Sequence, residues 1–174
     1  MQNSVLLVAS YFFYAWWDYR FLLLLILSTV LDYLLGLTIA RQHSLPMKKI
    51  FLWISVVANV SVLIYFKYFN FFIDSFSAIL VRLGIRADFF TLSVILPLGI
   101  SFYTFHGLSY VFDVYRNKIK PVNNPVAYAL FVSFFPLLVA GPIERATHLL
   151  PQLLVARKFN YGQAADGLKQ FLWG

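Results

Sequence analysis

The side chains that could do chemistry in this chain are few, and several lie inside apolar sequence. Asp32 sits near the middle of the apolar residues 21–40, and His106 falls within a second apolar stretch. A neutral imidazole in such a place can act as a general base toward a hydroxyl that comes within about 2.6–3.2 Å. An ionisable residue at membrane depth is a functional candidate, because its burial is costly. The alternative for both residues is a satisfied structural contact.

His106 shares one predicted helical face with other polar side chains. The spacing of three or four residues places Gly99, Tyr103, His106, Tyr110 and Asp113 on one side of a helix. We therefore treat Asp32, Tyr103, His106, Tyr110 and Asp113 as candidate polar residues of an internal path. For His106, a hydrogen bond to a neighbouring Tyr or Ser is the competing interpretation.

A second polar group follows the break at Gly141-Pro142. Glu144 and Arg145 are adjacent, so they point in different directions on a helix. They are expected to hold the break by bonding free backbone groups, and substrate binding is the alternative. His148 lies one turn further on, where it can join this network or remain a wet interfacial side chain.

Several classes of chemistry are disfavoured by the sequence. It contains no Gly-rich phosphate loop, no metal-spaced His pair and no nucleophile elbow. Cysteine is absent, which excludes disulfides and thiolate nucleophiles, and the three histidines are far apart. We expect no metal site, no bound cofactor and no nucleic-acid partner.

The composition is that of an integral membrane protein. Hydrophobic residues make up 61% and charged residues 12%, against about 45–50% and about 25% in soluble domains. The net charge is +7, and the basic residues lie between apolar segments. They are therefore interpreted as topology signals and as contacts to anionic membrane lipid.

The apolar segments predict an all-α polytopic bundle with a single domain over residues 1–174. The predicted spans are residues 4–17, 21–40, 50–70 and 91–115. Ser28, Asp32 and Gly36 share a face of the second span, a pattern typical of close helix packing. Residues 73–90 predict a helix that lies in the membrane plane on the outside. The basic loops near residues 41–49 and 116–120 are expected in the cytoplasm.

Residues 127–142 predict a re-entrant segment. The apolar run covers about 14 residues, fewer than the roughly 20 that a spanning helix needs. A full crossing would also place Arg145, Arg157 and Lys158 outside, against the charge bias. A dip into the membrane and back keeps these residues cytoplasmic. Residues 159–174 are expected to begin another helix.

Five motifs in order resemble one family. They are FFYAWW at 12–17, Asp32-Tyr33 with Gly36, FKYFNFF at 66–72, LPLGISFYTF at 96–105 and SFFPLLVAGPIERATHLLPQ at 133–152. Each motif is weak by itself, but together they are similar to the membrane-bound O-acyltransferases (MBOAT), particularly the branch that acetylates alginate. The resemblance runs from about residue 6 to residue 174.

The resemblance implies a helical protein around a tunnel in the bacterial inner membrane. Such a protein transfers an acetyl or acyl group to hydroxyls of an exported polysaccharide such as alginate. The implied donor is an acyl thioester, either acetyl-CoA or an acyl carrier. The implied partner is a periplasmic acetyltransferase that completes the transfer.

Two departures from the family limit the catalytic assignment. The family's signature histidine is expected beyond Gly174, and an apolar segment usually precedes FFYAWW. At the position of His106, family members more often carry Gln, which favours a structural role. The resemblance therefore implies a fragment that is inactive by itself. The alternatives are a non-enzymatic channel or transporter subunit and an inactive truncated product.

Overall fold

The computed structural model describes residues 1–82, 95–142 and 144–173 of the chain, and within them all regular secondary structure is helical. The helices in chain order are α1 (Gln2–Trp17), α2 (Tyr19–Arg41), α3 (Leu45–Arg82), α4 (Ile100–Tyr115), α5 (Pro125–Ser133), α6 (Phe135–Ala140), α7 (Ala146–Leu154) and α8 (Tyr161–Trp173).

Two of the described helices, α2 and α3, are long and apolar enough to cross a membrane. The α2 helix has 23 residues, and a 33-residue apolar stretch of α3 meets the same criteria. At 1.5 Å per residue, α2 is about 34 Å long, which exceeds a hydrocarbon core of about 30 Å.

The helix boundaries follow from local sequence. The carboxylate of Asp18 separates α1 from α2 and accepts the backbone N–H of Arg20 at 2.8 Å. Asn124 caps α5 by accepting the N–H groups of Val126 and Ala127, and Pro125 occupies the first turn. Proline in the first turn fits because it has no N–H that would lack a partner there.

The α4 helix begins later than the sequence predicts, at Ile100. Gly99 immediately before it has a φ of 69°, in the left-handed region that glycine tolerates. The sequence-based span of residues 91–115 is therefore too long at its beginning, because Pro97 and Gly99 interrupt the helix. Residues 91–94 of that span lie outside the described residues.

The α3 helix runs without interruption from Leu45 to Arg82. The sequence predicts a separate in-plane helix from residue 73, and this boundary is wrong because no helix-breaking residue occurs between 72 and 82. Residues 83–90 of that predicted helix lie outside the described residues.

The core lies where α2 and α4 cross, with α3 and α5 on either side. The α2–α4 contact is the most extensive, followed by α3–α4, α2–α3 and α1–α5. The fully buried large side chains include Tyr14, Tyr103, Tyr110, Tyr128 and Phe131. This core holds most of the polar residues singled out from the sequence.

The segment from α5 to α7 forms a helical hairpin. Near its tip, the carbonyl oxygen of Leu138 approaches Gly99 at the start of α4. At the opposite end, which we call the hairpin feet, Asn124 and residues 153–156 line one cleft of ≈ 390 Å³ together with the start of α1. The chain therefore enters and leaves this hairpin at the same end of the molecule.

The loops after α2, after α4 and after α7 form what we call the basic end, and the last two are the hairpin feet. Asp32 and Gly36 of α2 face Gly107 and Tyr110 of α4 in the same order, so the two helices run in one direction and end on the same side. Tyr33 of α2 donates to the carbonyl of Asn123 at 3.0 Å, beside the hairpin feet. These loops and their flanks carry Arg41, Lys48, Lys49, Arg116, Lys118, Lys120, Arg157 and Lys158. No acidic residue occurs in residues 41–49, 116–124 or 155–160.

Candidate functional site

Asp32 on α2 is held by two side chains of α3. Its Oδ1 accepts the hydroxyl of Ser55 at 2.6 Å and the amide of Asn59 at 2.9 Å, and the same amide is 3.0 Å from Oδ2. Asp32 is 1% exposed, and both partners are also buried. The network satisfies the carboxylate inside the core and joins α2 to α3.

Two glycines allow α2 and α4 to approach closely. A side chain at Gly107 of α4 would collide with the carboxylate of Asp32, and one at Gly36 of α2 would collide with the ring of Tyr110. Each helix therefore has a glycine at the position where a larger side chain of the other helix packs against it. In the predicted stripe of Ser28, Asp32 and Gly36, the last two residues pack against α4.

Three tyrosines bind the loop after α4 to the core. Tyr110 accepts the backbone N–H of Val122 at 3.2 Å. The ring of Tyr128 on α5 lies 4.5 Å from that of Tyr110 and 5.4 Å from that of Tyr33. Tyr110 therefore has a structural partner, although the sequence singles it out as a candidate of an internal path.

His106 occupies a break between α5 and α6. Pro136 has no N–H, so the carbonyl of Val132, four residues earlier, has no helical partner. This backbone group is near the His106 ring, but neither ring nitrogen reaches full hydrogen-bond geometry with any described residue. The ring also packs against Phe131 at 5.4 Å.

The α1 helix closes the same break from the other side. The N–H of Phe135 lies 3.4 Å from the hydroxyl of Ser10, which is fully buried. Helices α1 and α4 thus face the backbone groups that the break exposes. His106 lies beside this break, and its structural role stays a prediction.

A row of buried polar atoms in and beside α4 has no hydrogen-bond partner within the described part of the chain. The row consists of the hydroxyls of Tyr103, Thr104 and Tyr128, both ring nitrogens of His106, and one carboxylate oxygen of Asp113. Buried polar groups are normally paired, so each exception asks for an explanation.

Glu144 and His148 pair with each other, and Glu144 is also near enough to His106 for an electrostatic interaction. Nδ1 of His148 is 2.9 Å from Oε2 of Glu144, and the His148 side chain is 68% exposed. Arg145 precedes α7 at the hairpin tip and is exposed, whereas Arg157 is at the hairpin feet. Arg145 and Arg157 therefore lie at opposite ends of α7, and the expectation that both are cytoplasmic stays a prediction.

The structure brings five of the eight sequence-predicted residues into one core: Asp32, Tyr103, His106, Tyr110 and Asp113. Sequence reasoning missed Ser55, the second donor to Asp32, and the buried Tyr128. Ser55 and Asn59 are four residues apart in an apolar segment, and this spacing could have identified them. Nothing in the local sequence of Tyr128 distinguishes it from interfacial tyrosines.

No group of three potential metal ligands comes together in residues 1–82, 95–142 and 144–173. The polar groups that the described core contains include tyrosine and threonine hydroxyls, the imidazole of His106 and the carboxylates of Asp32 and Asp113. All of these groups are closed to solvent within the described structure. The fold and the core define a helical membrane protein with a polar interior.

Comparison with known proteins finds relatives that are named as O-acetylating enzymes. The chain is 41% identical over 174 residues to the probable alginate O-acetylase of Pseudomonas aeruginosa, covering 99% of this chain and 33% of that protein. The corresponding protein of Azotobacter vinelandii is also 41% identical, with 99% and 34% covered. A peptidoglycan O-acetyltransferase of Helicobacter pylori is 36% identical over 195 residues, with 97% and 36% covered.

The chain thus spans about a third of the length of these relatives. No family model matches the chain. No solved structure is significantly similar to it. The resemblance to membrane-bound O-acyltransferases that the sequence motifs carry is confirmed by these relatives over the length that they share with the chain.

Proposed function

We propose that this chain is part of a membrane O-acetyltransferase that modifies hydroxyl groups of an exported polysaccharide. The observation that carries the proposal is the 34–41% identity to O-acetylating enzymes over nearly the whole chain. The names of those relatives specify alginate and peptidoglycan, which supports an exported polysaccharide as the acceptor.

Within such an enzyme, the described helices form scaffold and wall. The Asp32 network and the paired glycines fix α2, α3 and α4 against one another. The partnerless polar atoms beside α4 supply the hydrogen-bonding groups that a polar path through apolar surroundings needs. In this scheme the acyl donor is a thioester, either acetyl-CoA or an acyl carrier, and a hydroxyl displaces its thiol with the help of a base.

The proposed location is the bacterial inner membrane, with several passes and with the α5–α7 hairpin re-entrant from the cytoplasmic side. Support comes from the two apolar helices α2 and α3 and from the basic end at the hairpin feet. A periplasmic acetyltransferase partner would complete the transfer to the polysaccharide.

A chimera tests the proposed function. The matching third of the Pseudomonas aeruginosa alginate O-acetylase is replaced by residues 1–174, and the acetyl content of secreted alginate is measured in cells that lack the native gene. We expect acetylation to be restored. The matched control carries the corresponding segment of the Azotobacter vinelandii relative, which is as similar to this chain as the replaced Pseudomonas aeruginosa segment is.

The proposal fails if the control chimera acetylates alginate while the chimera with this chain is inserted in equal amount and does not. The alternative is a channel or transporter subunit, which the same partnerless polar row would favour. That alternative predicts solute or proton flux through vesicles holding the protein, with no requirement for an acyl donor.

A further inference from the structure

The α8 helix presents an apolar face that no described helix covers. Leu168, Phe171 and Leu172 are 62%, 82% and 75% exposed. None of its residues is buried, and it makes no extended contact with another described element. A helix of this kind needs a partner, because exposed apolar side chains of this size are unfavourable in water.

The polar and apolar residues of α8 lie on opposite sides. At about 100° per residue, Ala164, Leu168, Phe171 and Leu172 fall on one side of the helix. Gln163, Asp166, Lys169 and Gln170 fall on the other side. Helices with such a division and a substantial polar face lie in the plane of a membrane surface rather than across it.

The position of α8 in the chain links it to the basic end. Arg157, four residues before α8, is fixed there by Gln2: its N–H donates to the Gln2 side chain at 3.0 Å, and its carbonyl accepts from Gln2 at 2.9 Å. Its guanidinium also bonds Asn3. The helix therefore starts within about 14 Å of an anchored point on this end.

The charge of this end identifies the surface that α8 would meet. Eight of the chain's 14 basic residues belong to the basic end, and its three loops contain no acid. Such a cluster attracts anionic lipid headgroups, and its effect is confined to about a Debye length from the surface. Tyr161 lies on the apolar side at the start of α8, and Trp173 lies on the polar side in its last turn; both residue types favour the headgroup region.

We propose that α8 lies flat on an anionic phospholipid surface, with its apolar face in the acyl-chain boundary and the basic end holding the headgroups beside it. The occupant of the uncovered face is thus lipid, rather than another protein segment or a second copy. This proposal does not depend on the acetyltransferase activity.

The absence of cysteine makes a direct test possible. A single cysteine at Leu168 reports the apolar face, and one at Gln170, about 200° around the helix, reports the polar face. Each variant carries an environment-sensitive fluorophore in nanodiscs of phosphatidylcholine with phosphatidylglycerol. Nitroxide-labelled lipids quench either near the glycerol backbone or near the end of the acyl chain.

We expect the Leu168→Cys label to be blue-shifted and quenched by the shallow nitroxide, and the Gln170→Cys label to be neither. Quenching at residue 168 should be lost in pure phosphatidylcholine. It should also be lost in the variant K118Q/K120Q/K158Q. The matched control, R20Q/K67Q/R82Q, removes three charges outside the basic end and should keep the quenching.

Three outcomes would overturn the proposal. A blue-shifted label at residue 168 that no lipid nitroxide quenches means that protein covers this face. Quenching of both positions by the deep nitroxide means that α8 crosses the membrane. Equal quenching in neutral and anionic nanodiscs means that the basic end does not select the surface.

Discussion

Asp32 is the residue at which three helices meet. Its carboxylate accepts hydrogen bonds from α3 and lies against the backbone of α4 at Gly107. This arrangement supports the interpretation of Asp32 as a satisfied structural acid over that of a pathway residue. The two roles can be distinguished by experiment. A structural role predicts that mutations of Asp32 and Asn59 have coupled effects on the unfolding free energy.

A double-mutant cycle measures this coupling. Asp32→Ala leaves the buried Ser55 and Asn59 donors without their acceptor, so we expect a loss of about 1–3 kcal/mol in unfolding free energy. Asn59→Ala should lose less. The coupling between the two changes should be about 0.5–2 kcal/mol, as found for hydrogen bonds between membrane helices. Unfolding in detergent gives the values, and strictly additive effects would contradict the network.

Gly107 offers a second test at the residue scale. Gly107→Ala pushes a methyl group into the Asp32 carboxylate, and overpacking of this kind costs about 1–3 kcal/mol. Gly167→Ala is the matched control, because a methyl group there meets nothing within 4 Å. The control should leave the stability unchanged or raise it by up to about 1 kcal/mol. Equal melting temperatures for the two variants would refute the close α2–α4 approach.

His106 should be replaceable by Gln but not by Leu. A Gln amide carries a donor that can approach the carbonyl of Val132 as the His106 ring does, whereas Leu carries none; a hydrogen bond made there would contribute about 0.5–1.5 kcal/mol. We expect the chimera proposed above to keep polysaccharide acetylation and stability when it carries His106→Gln. A normally expressed but inactive His106→Gln variant would instead make His106 a catalytic residue.

At the scale of elements, the α5–α7 hairpin depends on breaks rather than on regular helix. Pro136 interrupts it between α5 and α6, and Gly141-Pro142 turns it near the tip. Other helices cover these breaks: Ser10 of α1 bonds the N–H of Phe135, and Gly99 contacts the carbonyl of Leu138. The hairpin is therefore stable only when packed against α1 and α4.

Gly99→Ala should loosen this packing. The added methyl group would lie 2.8 Å from the carbonyl oxygen of Leu138, and a φ of 69° costs a non-glycine residue about 1–2 kcal/mol. Gly162→Ala is the control, with its nearest neighbour at an ordinary 3.4 Å. We expect faster proteolysis within residues 134–145 for Gly99→Ala only. Identical digestion of the two variants would argue against the contact.

At the scale of the whole molecule, the basic end predicts the orientation in the membrane. Basic loops near membrane helices stay in the cytoplasm, so residues 43, 120 and 158 should all face inward and Tyr19 outward. Single cysteines at these positions, labelled with an impermeant maleimide in intact and permeabilised cells, check this arrangement. Labelling of residue 158 from outside together with residue 120 from inside would rule out a hairpin that returns to its side of entry.

The sequence by itself determined the class of protein and the principal helices. The lengths of the apolar segments predict α2 and much of α3, because a segment in an apolar medium must pair its own backbone N–H and C=O groups. The spacing of Tyr103, His106, Tyr110 and Asp113 was sufficient to place them on one buried face, since helical periodicity is local.

Tertiary structure alone decided which of these polar groups are paired. Asp32 acquires its partners from a helix 23 and 27 residues away, and the break beside His106 is closed by Ser10, which is 125 residues from Phe135. The Tyr110 hydroxyl accepts a hydrogen bond from the loop after α4, whereas the hydroxyls of Tyr103 and Tyr128 have no partner in the described structure. Residue type sets what each group can bond, but only the packing of separate helices sets which group it meets.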